Sequence, residues 1–264
     1  MGADTSEHVR IERVEEVGRI VMDRPETHNA LNRTMAARLR DATIELVEDD
    51  GIRCIVLTGT NGAFNTGADL RVLEGDPSDS RTLRGIATSL HTAIAAVANA
   101  PKPAVTGLNG VAAGGGFGLA MSGDVVVATE SARLEFAYPK IGLSGDGGST
   151  YFLPRLVGHR RAREIALLDE PIPAAQAVKM GLATEVVPDD EFEDRLAAVA
   201  AGLAAGPTRA QADVKRLMNR SYSREMRTQL AAETDSLTRL TNTDDYARGI
   251  EAFGTDESAE FQGR

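Results

Sequence analysis

AVTGLNGVAAGGGFGLA, residues 104–120, runs small apolar residues into three consecutive glycines and then into a short apolar segment. Its first part, 104–110, has the composition of a buried strand closed by Asn109-Gly110. The chain then leaves extended structure and enters a helix across Gly114, Gly115 and Gly116. Glycine loses more conformational entropy on folding than any other residue, so such a run marks a place where backbone must approach something closely. The same order recurs upstream in IVLTGTNGAFNTGADL, residues 55–70: a buried strand, a glycine turn and a helix start.

Working outward, the rest of the chain fits the same alternation. HVRIERV (8–14) alternates polar and apolar residues and RIVMDRP (19–25) follows as its hairpin partner, with Gly18 expected near the turn. From Asn32, a suitable cap, to about Glu48 the apolar residues Met35, Leu39, Ala42 and Leu46 fall at helical spacing. A polar stretch over 74–81 is expected as a mobile loop, and a helix of small residues follows over roughly 82–99, stopping before Pro101-Lys102-Pro103. DVVVAT (124–129) supplies a further buried strand. From Glu191 onward the pattern is almost wholly helical, with a break at Gly206-Pro207. Strands alternating with helices, then a helical tail, predict an α/β main body over 1–195 and an all-α C-terminal region over 196–264.

Composition narrows the function. The 264 residues carry a formal net charge of −10, which argues against nucleic acid as a partner because phosphate binding needs a basic surface. No apolar run approaches the ~18 residues of a membrane span, so no membrane partner is expected. The opening MGADTSEHVR lacks an apolar signal core, and a cytoplasmic protein is expected. Cys54 is the single cysteine, and His8, His28, His91 and His159 show no metal-ligand spacing, so neither a disulfide nor a metal site is expected.

The glycines do not satisfy the common phosphate motifs. Counting G-x-G-x-x-G from Gly114 puts Leu119 in the third glycine place, and counting from Gly116 puts Met121 there. No Gly-Lys-Ser/Thr follows, and Gly142-Leu143-Ser144 is followed by Gly145-Asp146, which is not a G-x-S-x-G elbow. Two readings then stand side by side. Both turns are merely tight connections, or each presents a backbone N–H to a developing negative charge, and two such donors make an oxyanion hole.

DRPETHNALN (23–32), GAFNTGADL (62–70), NGVAAGGGFGLAMSGDVVVA (109–128) and GGSTYFLPRLVG (147–158) together resemble the enoyl-CoA hydratase/isomerase, or crotonase, family, over about residues 8 to 264. The resemblance implies a spiral of ββα units with C-terminal helices that assemble a homotrimer or a dimer of trimers. It also implies an acyl-CoA thioester substrate, with coenzyme A as part of the substrate and no separate cofactor. By the resemblance, Ala68 and Gly115 supply the two oxyanion N–H groups. Arg24, Ala30, Asp69 and Leu70 match segments that line the CoA site, and Thr66, Gly67, Gly114 and Tyr138 join them as substrate-binding positions. Asp69 and Asp124 also read, more blandly, as capping residues.

Two departures from the family pattern bear on the reaction. Hydratases of this family use two glutamates; the matching positions here are Gly118 and Tyr138, and neither is acidic. Glu135 and Lys140 lie nearby with no pattern that turns them inward. KIGLSGDGGSTYFLPRLVG (140–158) resembles instead the isomerase branch, in which a loop aspartate moves the proton, and Asp146 holds that place. By composition alone Asp146 would be a turn residue among glycines. One carboxylate suffices to shift an enoyl double bond, so an isomerase is the expected activity. The alternatives are a hydratase with an atypical acid/base, and a catalytically silent CoA-binding subunit. The second departure is the C-terminal FGTDESAEFQGR (253–264), acidic where relatives are basic beside the CoA phosphates.

Overall fold

The structure, a computed structural model, describes residues 8–255 and 258–264. Residues 1–7, read above as lacking a signal core, and Asp256 and Glu257 of the acidic C-terminal stretch lie outside the described residues.

Strands β1 (Val9–Val14) and β2 (Val17–Met22) form the expected hairpin. Its turn is Glu15-Glu16, with Glu15 at φ 52, while Gly18 lies inside β2 opposite Arg13. Gly18 is needed there for packing, since a Cβ would sit 2.8 Å from Leu46 of helix α1 (Arg33–Glu48). Asn32 caps α1 as its sequence position predicts, its side chain accepting a hydrogen bond from Met35 N–H.

The chain then winds through two sheets. Strands β3 (Cys54–Gly59), β5 (Ala104–Leu108) and β7 (Val125–Thr129) run parallel in a six-stranded sheet of order β1-β2-β3-β5-β7-β10, the last being Glu185–Val187. After each of the three comes a short strand in a second sheet: β4 (Ala63–Asn65), β6 (Val111–Ala113) and β8 (Arg133–Glu135), joined by β9 (Ile172–Pro173). Each repeated segment therefore contains two strands, not one, before its glycine turn. The three-residue strands are too short to show a period, but they set the turns side by side, because β4 pairs with β6.

Helix α2 (Asp79–Ala98) follows β4, α3 (Gly115–Ala120) follows β6, and α4 (Ser149–Leu168) follows β8. The turn after β4 becomes a single 3-10 turn, Leu70–Val72, rather than a helix. The segment expected as a mobile loop is shorter than 74–81, for α2 begins at Asp79, whose carboxylate accepts hydrogen bonds from Glu74 and Gly75 N–H at 2.9 and 2.8 Å. Helix α5 (Ala174–Met180) leads into β10.

Period-two alternation along the strands decides what each face meets. Ile55 and Leu57 enter the main core with α1 and α2, while Cys54, Val56, Val105 and Val127 face α6 (Phe192–Ala204) through Phe192, Leu196 and Ala200. Gly107 makes that approach possible: a Cβ there would lie 2.5 Å from Leu196. The division expected between residues 195 and 196 thus falls inside α6, a helix packed on the sheet. Helices α7 (Thr208–Ser221), α8 (Met226–Leu240) and α9 (Asp244–Thr255) follow the break at Gly206-Pro207. Asp124 caps no helix; its carboxylate accepts from Ala104 N–H at 2.8 Å and from the buried Lys215 ammonium at 2.7 Å, tying α7 to the sheet. Among the described residues no helix is long and apolar enough to cross a membrane.

Candidate active site

The side-by-side turns open on a cavity of about 470 Å³ between α2, the start of α3 and the loop after β8. Thr66, Gly67, Ala68, Leu70, Gly114, Gly115, Tyr138 and Asp146, all singled out from sequence, line it. Arg24, Ala30 and Asp69 do not. The Arg24 guanidinium, nearly buried, donates to Ala30 O at 2.9 Å and to Asp69 Oδ2 at 2.8 Å, so these three stand behind the wall and brace it.

The brace fixes Ala68. Leu31 pairs with Ala68 in an isolated parallel bridge, in which Leu31 N–H donates to Gly67 O and Asp69 N–H to Leu31 O. That pattern uses the residues on either side and leaves Ala68 N–H without a backbone acceptor. Asp69 Oδ1 also caps the 3-10 turn through Arg71 N–H at 3.1 Å, which supports the capping reading. Hydrogen bonds from Arg71, and then from Arg24, hold the Asp69 carboxyl well below the usual carboxylate range against the opposing effect of burial.

Gly115 is the first helical residue of α3, where N–H groups have no intrahelical acceptor. It directly abuts the first turn, since a Cβ on Gly67 would stand 3.0 Å from Gly115 N. Much of what comes close to the glycine run is the protein's own backbone. A Cβ at Gly116 would lie only 2.0 Å from Asn65 O, while one at Gly115 would meet the Leu90 side chain at 2.7 Å. At Gly118 it would fall 1.8 Å from Gly147 O. The position at which hydratases keep one glutamate therefore has no room for any side chain in this arrangement.

Gly118 against Gly147 also sets the loop that carries Asp146. Gly147 and Gly148 both have positive φ (58 and 71), and Ser149 N–H closes the turn onto Asp146 O at 3.0 Å. The Asp146 carboxylate, about one-third exposed, touches the His91 Nε2 of α2. With the carboxylate ionised only the imidazole can donate in this contact. Sequence reading missed His91. It lies 55 residues from Asp146, and nothing in its local sequence points it toward that loop.

Tyr138 lies against Phe136, ring centroids 5.0 Å apart, and Phe136 against Phe117 of α3. Burial, with the Asp146 charge adding to it, pushes the Tyr138 phenol above its ordinary range, so this group stays protonated and is no base. Glu135 is not on the cavity wall; its carboxylate accepts from Arg133 and from Lys140, which does line the cavity, at 2.7 and 3.1 Å.

A two-sheet spiral of ββα units, with two glycine turns meeting at an apolar cavity beside a carboxylate, defines the class: a crotonase-fold protein. The comparisons with known proteins agree. Residues 12–264 match the family described as enoyl-CoA hydratase/isomerase. The chain is 35% identical to 1,2-epoxyphenylacetyl-CoA isomerase of Escherichia coli over 93% of this chain and 94% of that one. It is 38% identical to a protein of Rhodobacter capsulatus named a probable enoyl-CoA hydratase, over 97% and 98% of the two chains. A solved enoyl-CoA hydratase of Bacillus anthracis superposes with a TM-score of 0.91 at 26% identity, covering 98% of this chain and all of its own. The chain belongs to the enoyl-CoA hydratase/isomerase family.

Proposed function

We propose that this chain is an enoyl-CoA isomerase that moves a double bond along an acyl-CoA through a thioester dienolate, with no cofactor beyond the CoA of its substrate. The observation that carries this reading is that, among the described residues, Asp146 is the only acidic side chain on the cavity wall. Hydration needs one group to activate water and one to protonate carbon, whereas a double-bond shift needs one base used twice. Asp146 takes the proton from C2 of a 3-enoyl thioester and returns it at C4. Ala68 and Gly115 N–H donate to the thioester oxygen, where the negative charge of the dienolate gathers. The His91 imidazole holds the carboxylate toward the cavity, and Tyr138, protonated, offers a donor but no base.

Asp146→Asn keeps size and polarity while removing the base. Turnover of a 3-enoyl-CoA to the conjugated 2-enoyl-CoA, followed by ultraviolet absorbance, falls roughly 10²- to 10⁴-fold. Affinity for a saturated acyl-CoA stays near that of the unaltered protein. Full turnover by the Asn variant, or addition of one water mass to a 2-enoyl-CoA as the dominant reaction, would sink the assignment.

The same reading includes assembly as a homotrimer or a dimer of trimers. What supports it is the row of large apolar side chains exposed on α7 to α9: Met218, Tyr222, Met226, Leu230, Leu237, Ile250 and Phe253. Sedimentation at micromolar concentration is expected to give three or six times the chain mass, and a monomer would refute it.

A further inference from the structure

Helix α2 borders two separate spaces. Leu83, Ala87 and Leu90 face the thioester cavity, and His91, Ile94, Ala95 and Ala98 face a second cavity of about 430 Å³. The opposite wall, formed by the loop after β8 and the start of α4, divides in the same way. Gly145 and Asp146 border the first space, and Gly148, Tyr151 and Phe152 border the second. Among the described residues the two cavities share no lining residue. On both walls the boundary falls at one place, where His91 Nε2 touches Asp146 Oδ1.

Backbone and apolar side chains pack around that contact. A Cβ on Gly147 would stand 3.0 Å from Gly115 O, and one on Gly115 would stand 2.7 Å from Leu90, so α2, α3 and the loop already touch beneath the pair. A Cβ on Gly148 would lie 3.7 Å from Ile94. The imidazole fills what is left between Leu90 and Ile94.

The two partners face different media. The His91 side chain is half-exposed, and its cavity carries the polar Asn99 and Asn219, where water finds hydrogen-bond partners. The Asp146 carboxylate borders the space read as the thioester site. Donation from Nε2–H occupies Oδ1, and among the described residues nothing else hydrogen-bonds this carboxylate, so Oδ2 is the oxygen left for the substrate.

We propose that His91 is a positioning residue that retains the substrate's proton: it closes Asp146 off from the water of the second cavity, so the proton taken from C2 returns to C4 of the same molecule. This rests on the isomerase reading of the first cavity. In the first half of the turnover the C2–H bond breaks, its proton goes to Oδ2 and its electron pair enters the dienolate. In the second half the Oδ2–H bond breaks, the proton forms the new bond at C4, and the carboxylate is restored. His91 accepts no proton in either half, because its Nε2 already carries one and directs it at Oδ1. A site closed in this way suppresses leakage of the proton to solvent.

Conversion of a 3-enoyl-CoA in heavy water, stopped early, tests it, with deuterium at C4 of the 2-enoyl product read by mass spectrometry and NMR. The intact protein, His91→Gln and His91→Ala are compared. His91 is exposed on α2, and Gln and Ala are both good helix formers, so both variants fold. Gln offers a side-chain N–H near the place of Nε2, whereas Ala opens the carboxylate to the second cavity. The readout is deuterium per product molecule, which a change in overall rate does not move. Most product from the intact protein and from His91→Gln carries protium at C4, and His91→Ala raises the deuterated fraction about threefold or more. Full deuteration at C4 by the intact protein overturns the inference, as does an equal fraction from the intact protein and His91→Ala. A Gln variant labelled like the Ala variant overturns the role given to the Nε2–H donation. In each of these results the double bond still shifts; an intact protein that shifts none overturns the isomerase reading itself.

Discussion

Gly118→Ala tests the link between the glycine run and the carboxylate. The added Cβ falls 1.8 Å from Gly147 O and 2.6 Å from its carbonyl carbon. A relaxed carbon–oxygen contact needs about 3.3 Å, so α3 and the loop must part by about 1.5 Å. The atoms in the way are backbone on both sides, which cannot rotate aside as a flexible side chain would. Overpacking of this kind costs about 2 kcal/mol, equivalent to about 4–8 °C in melting temperature for a chain of this size. The functional loss is larger than the loss of stability. Gly147 is the next residue after Asp146, and a displacement of about 1 Å at a reacting group costs on the order of 10² in rate. The control is Gly202→Ala in α6, where a Cβ meets nothing within 4 Å, and where removing a helical glycine stabilises by about 0.5–1 kcal/mol. Melting curves and turnover of a 3-enoyl-CoA are measured for both variants. If Gly118→Ala melts and turns over like the unaltered protein, the backbone contact does not position Asp146 and the reasoning is wrong.

Two further predictions concern the braces around the site. Asp69→Ala leaves the nearly buried Arg24 guanidinium with only the exposed Glu26 carboxylate, 3.3 Å away, at a cost of about 3 kcal/mol in urea unfolding at pH 7. Because the folded state holds the Asp69 carboxyl below its unfolded range, its stabilisation is present above about pH 4 and is lost as pH falls below that. The gap between the two proteins therefore narrows in acid, and a constant gap down to the lowest pH at which both fold would refute it. Asp124→Ala strands the buried Lys215 ammonium, whereas Lys215→Met leaves Asp124 partly open to water, so the first variant is the less stable of the pair. Burial already lowers the Lys215 pKa, so the Asp124→Ala loss shrinks as pH rises toward about 10, and the reverse order or trend would count against it.

How much of this was legible without coordinates differs from element to element. Asn32 as a cap, the α1 stripe from Met35 to Leu46 and the buried run of β3 are local properties. Side-chain chemistry and a period of 3.6 or 2 settle them within a few residues. The two glycine turns and Asp146 were likewise visible, because glycine and a loop acid mark themselves in the chain, and the resemblance to the family attached expected roles to them. The second sheet was not visible, since strands of three residues carry no period.

Sequence alone determined where the chain turns, which faces are apolar and which family those turns belong to. Tertiary structure decided which segments lie against each other. Only packing puts His91 on Asp146 across 55 residues, sets Gly118 against Gly147, and withdraws Arg24 and Asp69 behind the wall. The physical reason is that periodicity and turn chemistry act over one or two turns of chain. The partner of a buried face is chosen by the fit of whole surfaces brought together from distant positions.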